Sequence, residues 1–401
     1  MRVRTTPTIG SVAFLMDITH GLAGFAMPLT LKTEFGMSED WVGALLGTSG
    51  LFYITFAYFA GGMSDRLGAT VVIRLGAGLI FLNCLVFSFA QSAWLYVLCA
   101  LTSAAGHAFF WPAFQAWFGK DVGRHEMARR VGIFSVSWSL GLNFAGPKFG
   151  GLLMESAPRA PFVAAALCAL GVLLFFQLLK PELSRWEVHP SHEADELRPR
   201  EIRRRFLRGA RLANLMAVYS IVTYRNFLPM LLVDWGLTES QIGSLMMVLG
   251  LAHSGTFLAL TLTHRWHYRW RYLLAGELLG MIGLLAFGLL AGGIDPTSDG
   301  QTPWLGVILM LPSLLMAGGM AGICFMSSAF YGLFGEEEKG KNSGINESII
   351  GSAGVLALYL GGIAFRIGGE AAPYWTCGVL VGACVFIQVS RLAPWRVGKS
   401  A

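Results

Sequence analysis

Twelve mostly apolar runs alternate with short polar breaks along the chain, at 8–31, 41–60, 71–91, 93–118, 131–153, 161–179, 212–234, 241–262, 272–291, 304–334, 344–366 and 374–390. A helix needs about 20 apolar residues to cross a bilayer, so the pattern predicts an all-α integral membrane protein of twelve transmembrane helices. An even number of crossings puts both termini on one side. One long polar interruption, 180–211, separates six runs from six. The predicted organisation is a six-helix bundle over 1–179, a basic linker over 180–211 and a second six-helix bundle over 212–401. The first run is long enough to stay in the bilayer as its own insertion signal.

The two halves repeat each other. FGMSEDWVGALLGTSGL at 35–51 matches WGLTESQIGSLMMVLGL at 235–251, pairing Gly36 with Gly236, Ser38 with Thr238, Glu39 with Glu239 and Gly43 with Gly243. Each copy reads as a polar loop, a Ser or Thr helix cap with acids in the first turn, then a buried helix. Further on, Gly106, Phe109, Ala113, Phe114 and Phe118 match Gly322, Phe325, Ala329, Phe330 and Phe334, and RVGIFSVSWSLGLNFAGPKFGG from Arg130 is echoed from Asn342. Repeats running in one direction imply a pseudo-two-fold axis along the membrane normal, with a solute site where the halves meet.

Composition supports the membrane reading: 54% of residues are hydrophobic and 13% charged, against about 25% charged in soluble domains. Fifty glycines suit close helix packing where lipid supplies no hydrophobic drive. Of the 30 Lys and Arg, 25 fall in the breaks that share a side with the N-terminus, while the opposite breaks hold Lys32 and Arg159. Basic residues stay in the cytoplasm, so both termini are expected there, in the inner membrane of a prokaryote. The Arg-rich part of 180–211 either lies on the anionic inner surface or serves as a solvated tether; nucleic acid is not an expected partner, and a monomer in the lipid bilayer is expected.

Other chemistry is thin. All six cysteines lie inside apolar runs, away from any disulfide or metal pattern. His189 with His192 and His264 with His267 lack ligand partners at fitting intervals, so no metal is expected. Asn346-Glu347-Ser348 fits a glycosylation sequon but falls at a cytoplasmic helix start. The phosphate-cradling G-x-x-x-x-G-K-[ST] is absent and no nucleophile stands beside a base, which argues against ATP-driven pumping and against an enzyme. No cofactor is expected, and a proton gradient is the expected driving force.

GGMSDRLGATVVIR at 61–74 carries Gly61, Asp65, Arg66 and Gly68 in a G-x-x-x-D-R-x-G pattern, and with twelve helices the chain resembles the major facilitator superfamily over essentially its whole length. It departs from that signature at Ala69 and Thr70, where basic residues usually follow. The resemblance implies a cytoplasmic gate in which Asp65 faces the positive N-terminus of helix eleven, starting near 342–344; a plain tight turn is the other reading. Gly141, Gly146, Pro147, Gly150 and Gly151 in helix five are similar to the G-x-x-x-G-P-x-x-G-G pattern of exporting antiporters, with one residue too many between Gly141 and Gly146. A Gly-Pro kink that allows close packing accounts for the same residues.

Ionisable side chains at membrane depth are costly and mark functional candidates. Asp17 and His20 share one face of helix one and are assigned to proton coupling, while Arg225, which stays charged, suits an anionic group on the solute. His107, Trp111, Gln115, Trp138, Asn143, Tyr224, Asn226, His253 and Tyr331 are candidates for lining the solute site, with bundle packing as the alternative. Lys148, Glu277 and Glu347 lie nearer helix ends, where snorkelling serves. A direct Asp17–Arg225 ion pair is disfavoured by an offset of eight residues, about 12 Å along parallel helices. The expected function is secondary active transport of a small polar, even anionic, solute by rocker-switch alternating access, coupled to protons and leaning to export. An uncoupled facilitator and a non-transporting receptor or scaffold of the same fold are the alternatives.

Overall fold

The computed structural model describes residues 6–119, 124–179, 200–263, 265–293, 304–334 and 339–392, without the side chains of 58, 65, 124–128, 200, 333–334, 339–344 and 392 and without the surroundings of Gly61. Among them all regular structure is helical: α1 (Thr6–Thr33), α2 (Glu39–Leu67), α3 (Ala69–Phe89), α4 (Ala93–Gly119), α5 (Arg124–Ser139, a π-helical turn Leu140–Ala145, then Gly146–Ser156), α6 (Ala160–Leu178), α7 (Arg200–Asp234), α8 (Glu239–Thr261), α9 (Trp270–Gly293), α10 (Trp304–Phe334), α11 (Lys339–Gly368) and α12 (Ala372–Ile387, ending in a π-helical turn Gln388–Leu392). Eleven of these are long and apolar enough to cross a membrane as single segments, and the π turn divides the twelfth, α5. Each predicted run therefore falls on one helix. Three starts move: α5 begins at Arg124, seven residues before its predicted run, α7 begins at Arg200, so its first three turns are the Arg-rich stretch read as linker, and α11 begins at Lys339.

The repeated loop works through its glycines. Gly36 and Gly236 adopt φ of 63° and 76°, the left-handed region that Gly enters without a Cβ penalty, and Gly36 N–H and Met37 N–H return to the Lys32 and Leu31 carbonyls to close α1. The following caps differ. Thr238 Oγ1 accepts from Gln241 N–H at 3.4 Å while Gln241 Oε1 accepts from Thr238 N–H at 2.9 Å, a reciprocal capping box. Ser38 makes no cap bond; its Oγ donates to Asp40 Oδ1 instead.

The chain divides into two compact units, one of 1–191 with 237–247 and one of 192–236 with 248–401. In the first, α4 supplies an aromatic column, Phe110, Trp111, Phe114, Trp117 and Phe118, packed on Val72, Ile73 and Ile80 of α3 and Phe176 of α6. Small residues let the backbones meet: a Cβ on Gly76 would stand 2.7 Å from the Gly106 carbonyl oxygen. Three arginines satisfy helix C-termini that have no further turn to bond. Arg74 donates to the Phe176 and Leu179 carbonyls, Arg130 to that of Phe118 at 2.7 Å, and Arg159 to those of Phe87 and Ala90. Arg159 also pairs with Glu34 and with the Tyr96 hydroxyl.

The extra residue in α5 is absorbed by its π turn. A π-helix bonds i to i+5, and Gly146 N–H donates to the Gly141 carbonyl five residues back. Both glycines consequently face α1, Gly141 toward Phe14 and Asp17 and Gly146 toward Gly21, while Gly150 abuts Phe25. The first turns of α8 pack on the same helix, with Gly151 against the Glu239 carbonyl, Gly243 against that of Pro147, and Lys148 Nζ donating to Ser244 Oγ at 2.8 Å.

In the second unit Gly318 and Gly322 of α10 seat on α8 at Leu249, His253 and Thr256. Asn346 Oδ1 accepts from Asn214 Nδ2 at 3.2 Å and from Ser328 Oγ at 2.7 Å, joining α11 to α7 and α10. All six cysteines are free thiols. Trp41, Trp94 and Trp304 stand exposed in the first turns of α2, α4 and α10, as interfacial aromatics do at the edge of a bilayer.

Candidate functional site

The first unit buries polar groups on α1, α4 and α5. Asp17 of α1 is 0% exposed, and its Cβ lies 2.9 Å from where a Cβ on Gly141 would sit, so the absent side chain is what brings the π turn of α5 against it. Asn143, 3% exposed, is carried by that same turn. One helical turn along α1, the His20 ring lies 4.5 Å from that of His107 on α4, tilted by 32°. His107 is buried, and its Nδ1 has no partner among the described residues. A carboxyl, two imidazoles and an amide thus come from three helices, each set by a local feature: the three-residue spacing on α1, the Gly76–Gly106 seat that holds α4, and the π turn of α5. No group of three or more metal-ligating side chains occurs among the described residues.

The remaining candidates divide. Trp111 belongs to the aromatic column, edge-on to Phe110 at 4.9 Å and to Phe134 at 5.9 Å, while Gln115 and Trp138 are half-buried. In the second unit Arg225 and Asn226 of α7 are half-buried, and Asn226 Nδ2 donates to the Val222 carbonyl. Tyr224, 0% exposed, turns into an aromatic cluster with Phe287 at 5.1 Å and Tyr374 at 5.2 Å. His253 is buried against Phe257, and the Tyr331 hydroxyl accepts from Tyr268 N–H in the α8–α9 loop. The structure therefore gives Tyr224, His253, Tyr331 and Trp111 packing surroundings and leaves Arg225 and Asn226 more open. Of the gating motif, the Asp65 side chain and the surroundings of Gly61 lie outside what the structure describes. Arg66 is exposed, and Gly68 closes α2 at φ 86° with its N–H on the Ser64 carbonyl.

Sequence reading passed over two polar sites. The Asn214–Asn346–Ser328 junction is hidden because its members are 132 and 18 residues apart. Glu277, assigned to a helix end with an easy route to water, is 0% exposed; its nearness to the end of α9 was the misleading signal, since α10 and α12 cover it.

Eleven helices long and apolar enough to cross a membrane, with polar clusters buried among the described residues, define a multi-pass membrane protein. Residues 9–358 match the profile of the Major Facilitator Superfamily, and the chain belongs to that superfamily of small-solute transporters, which are not enzymes. It is 26% identical to the MFS-type transporter YceJ of Bacillus subtilis (strain 168) over 298 residues, 71% of this chain and 69% of that one. It is 31% identical over 165 residues to the class B tetracycline resistance protein of Escherichia coli, covering 39% of each chain. With the quinolone resistance protein NorA of Staphylococcus aureus it shares 25% identity over 162 residues, 40% of this chain and 41% of that one. Against the two resistance proteins the chain therefore spans about two-fifths of their length. The nucleoside transporter NupG superposes with a TM-score of 0.71 at 10% identity, covering 96% of this chain and 99% of that one. The human organic anion transporter MFSD10 does so with 0.64 at 17%, with the same two coverages. At such identities the likeness is one of fold.

Proposed function

We propose that this transporter works as a secondary active carrier by alternating access, with protons as the coupling ion and Asp17, His20 and His107 as the proton site. The observation that carries the reading is the close pair of imidazoles, one turn along α1 from a carboxyl at 0% exposure. Carboxyl and imidazole groups take up and release protons, and at membrane depth such groups mark proton pathways. Arg225, permanently charged and half-buried, is assigned to an anionic group on the solute. Two relatives are named for resistance to tetracycline and to quinolones, which supports a lean toward export. The distribution of basic residues supports an inner membrane with both termini in the cytoplasm.

The test is transport in proteoliposomes under an imposed pH gradient, with solutes chosen first by a thermal-shift screen of organic acids, sugars, amino acids and drug-like cations. The expected result is solute movement that follows the gradient and stops in D17N. Movement indifferent to pH in the wild type would leave an uncoupled facilitator.

A further inference from the structure

The second unit holds a buried carboxyl that the transport reading does not use. Glu277 sits two turns into α9 and Gln388 heads the π-helical turn that ends α12; both are 0% exposed. Gln388 Nε2 donates to Glu277 Oε1 at 2.5 Å. Cys384, one turn earlier on α12, places its Sγ 3.7 Å from the same oxygen and 3.6 Å from the Leu212 carbonyl oxygen of α7. The titratable groups facing the carboxyl are thus Cys324 from α10 and Cys384 from α12; α7 presents a carbonyl, and none of its partners among the described residues is cationic. Two acceptors are left over. Glu277 Oε2 and Gln388 Oε1 are buried without a hydrogen-bond partner among the described residues.

An ionised carboxylate here would be desolvated, with one amide as its principal donor. Two orphaned acceptors would remain, each carrying the full cost of lost hydration. One proton resolves both. On Glu277 Oε2 it turns that oxygen into a donor, and the acceptor it can supply is the other orphan, Gln388 Oε1. With the amide bond to Oε1 already made, acid and amide then close a ring of two hydrogen bonds. We propose that Glu277 is a proton-binding site, separate from the Asp17 cluster, held as a neutral carboxylic acid in a two-bond ring with Gln388 that ties α9 to the end of α12. Loss of the proton leaves two acceptors opposed and a charge in a dry site, so the tie weakens as pH rises.

Infrared spectroscopy of the purified full chain tests this. Near neutral pH the wild type and D17N should share a protonated-carboxyl band that shifts in heavy water and is absent from E277Q. The side-chain amide introduced by E277Q would reproduce the ring as an amide pair, so this variant should keep its thermal midpoint as pH is raised while that of the wild type falls. Should E277Q fail to fold, Q388L decides: a band displaced to the frequency of an unbonded acid supports the ring, and an unmoved band overturns it. The proposal also fails if wild type and E277Q give the same spectrum, or if the wild-type midpoint follows sodium concentration and not pH, which would make the occupant a metal cation.

Discussion

Gly146 of α5 lies so close to Gly21 of α1 that a Cβ on Gly146 would overlap the Gly21 Cα. The obstacle is backbone, with no flexible side chain to yield. Gly146→Ala is expected to cost about 1–3 kcal/mol by overpacking, read as a lower thermal midpoint in detergent. Gly62→Ala, where nothing lies within 4 Å, is the control, and equal effects at the two positions would refute the packing account.

The π turn makes a second prediction. Since it carries one residue beyond an α-helical turn, deleting Leu142 should leave Gly141 and Gly146 four apart, on one face of a continuous α-helix. The flanking turns keep their phase and the protein should still fold. Asn143, now in an ordinary turn, should lose the buried position that the π turn gives it, so transport should fall although the circular dichroism spectrum is unchanged. Wild-type transport by the deletion variant would show that the turn has no functional part.

Asp17→Asn preserves shape and removes the titrating group, so the folded protein should persist while gradient-driven transport stops. His107→Asn should weaken the pH dependence and leave a smaller residual response, because His20 remains. Rates measured across a series of pH values in proteoliposomes check both, and an unaltered pH profile in D17N would remove Asp17 from the coupling.

Arg159 is the clip of the first unit, donating to the Phe87 and Ala90 carbonyls at the end of α3, the Tyr96 hydroxyl and Glu34. Arg159→Ala should lower stability by about 1.5–3 kcal/mol, the range for hydrogen bonds to charged groups. Arg159→Lys should recover little of it, since an ammonium cannot span that fork of acceptors. Chemical denaturation of the purified variants gives the comparison, and full rescue by Lys would mean that charge alone matters.

The two copies of the repeated loop should respond unequally to the loss of their caps. Thr238→Ala removes a capping-box bond and should cost about 1 kcal/mol, whereas Ser38→Ala should cost less because Ser38 Oγ makes no cap bond. Thermal midpoints of the two variants, measured side by side, decide it.

Runs of apolar residues sufficed to predict twelve helices, because in lipid every backbone group must be satisfied within its own helix and hydropathy alone marks where that happens. The same rule explains why Gly36 and Gly236 were legible as turns, and why Asp17 stood out as a candidate before any contact was known. Which polar residues meet was another matter. His20 and His107 are 87 positions apart, and Glu277 and Gln388 are separated by 111. Nothing local distinguishes a side chain turned into such a pair from one turned to a helix end. The extra residue in α5 looked like a broken motif until the π turn showed that it keeps two glycines on one face. Local patterning thus determined the helices and the membrane, while helix packing, through close glycine contacts that have no signature along the chain, decided which buried groups share a site.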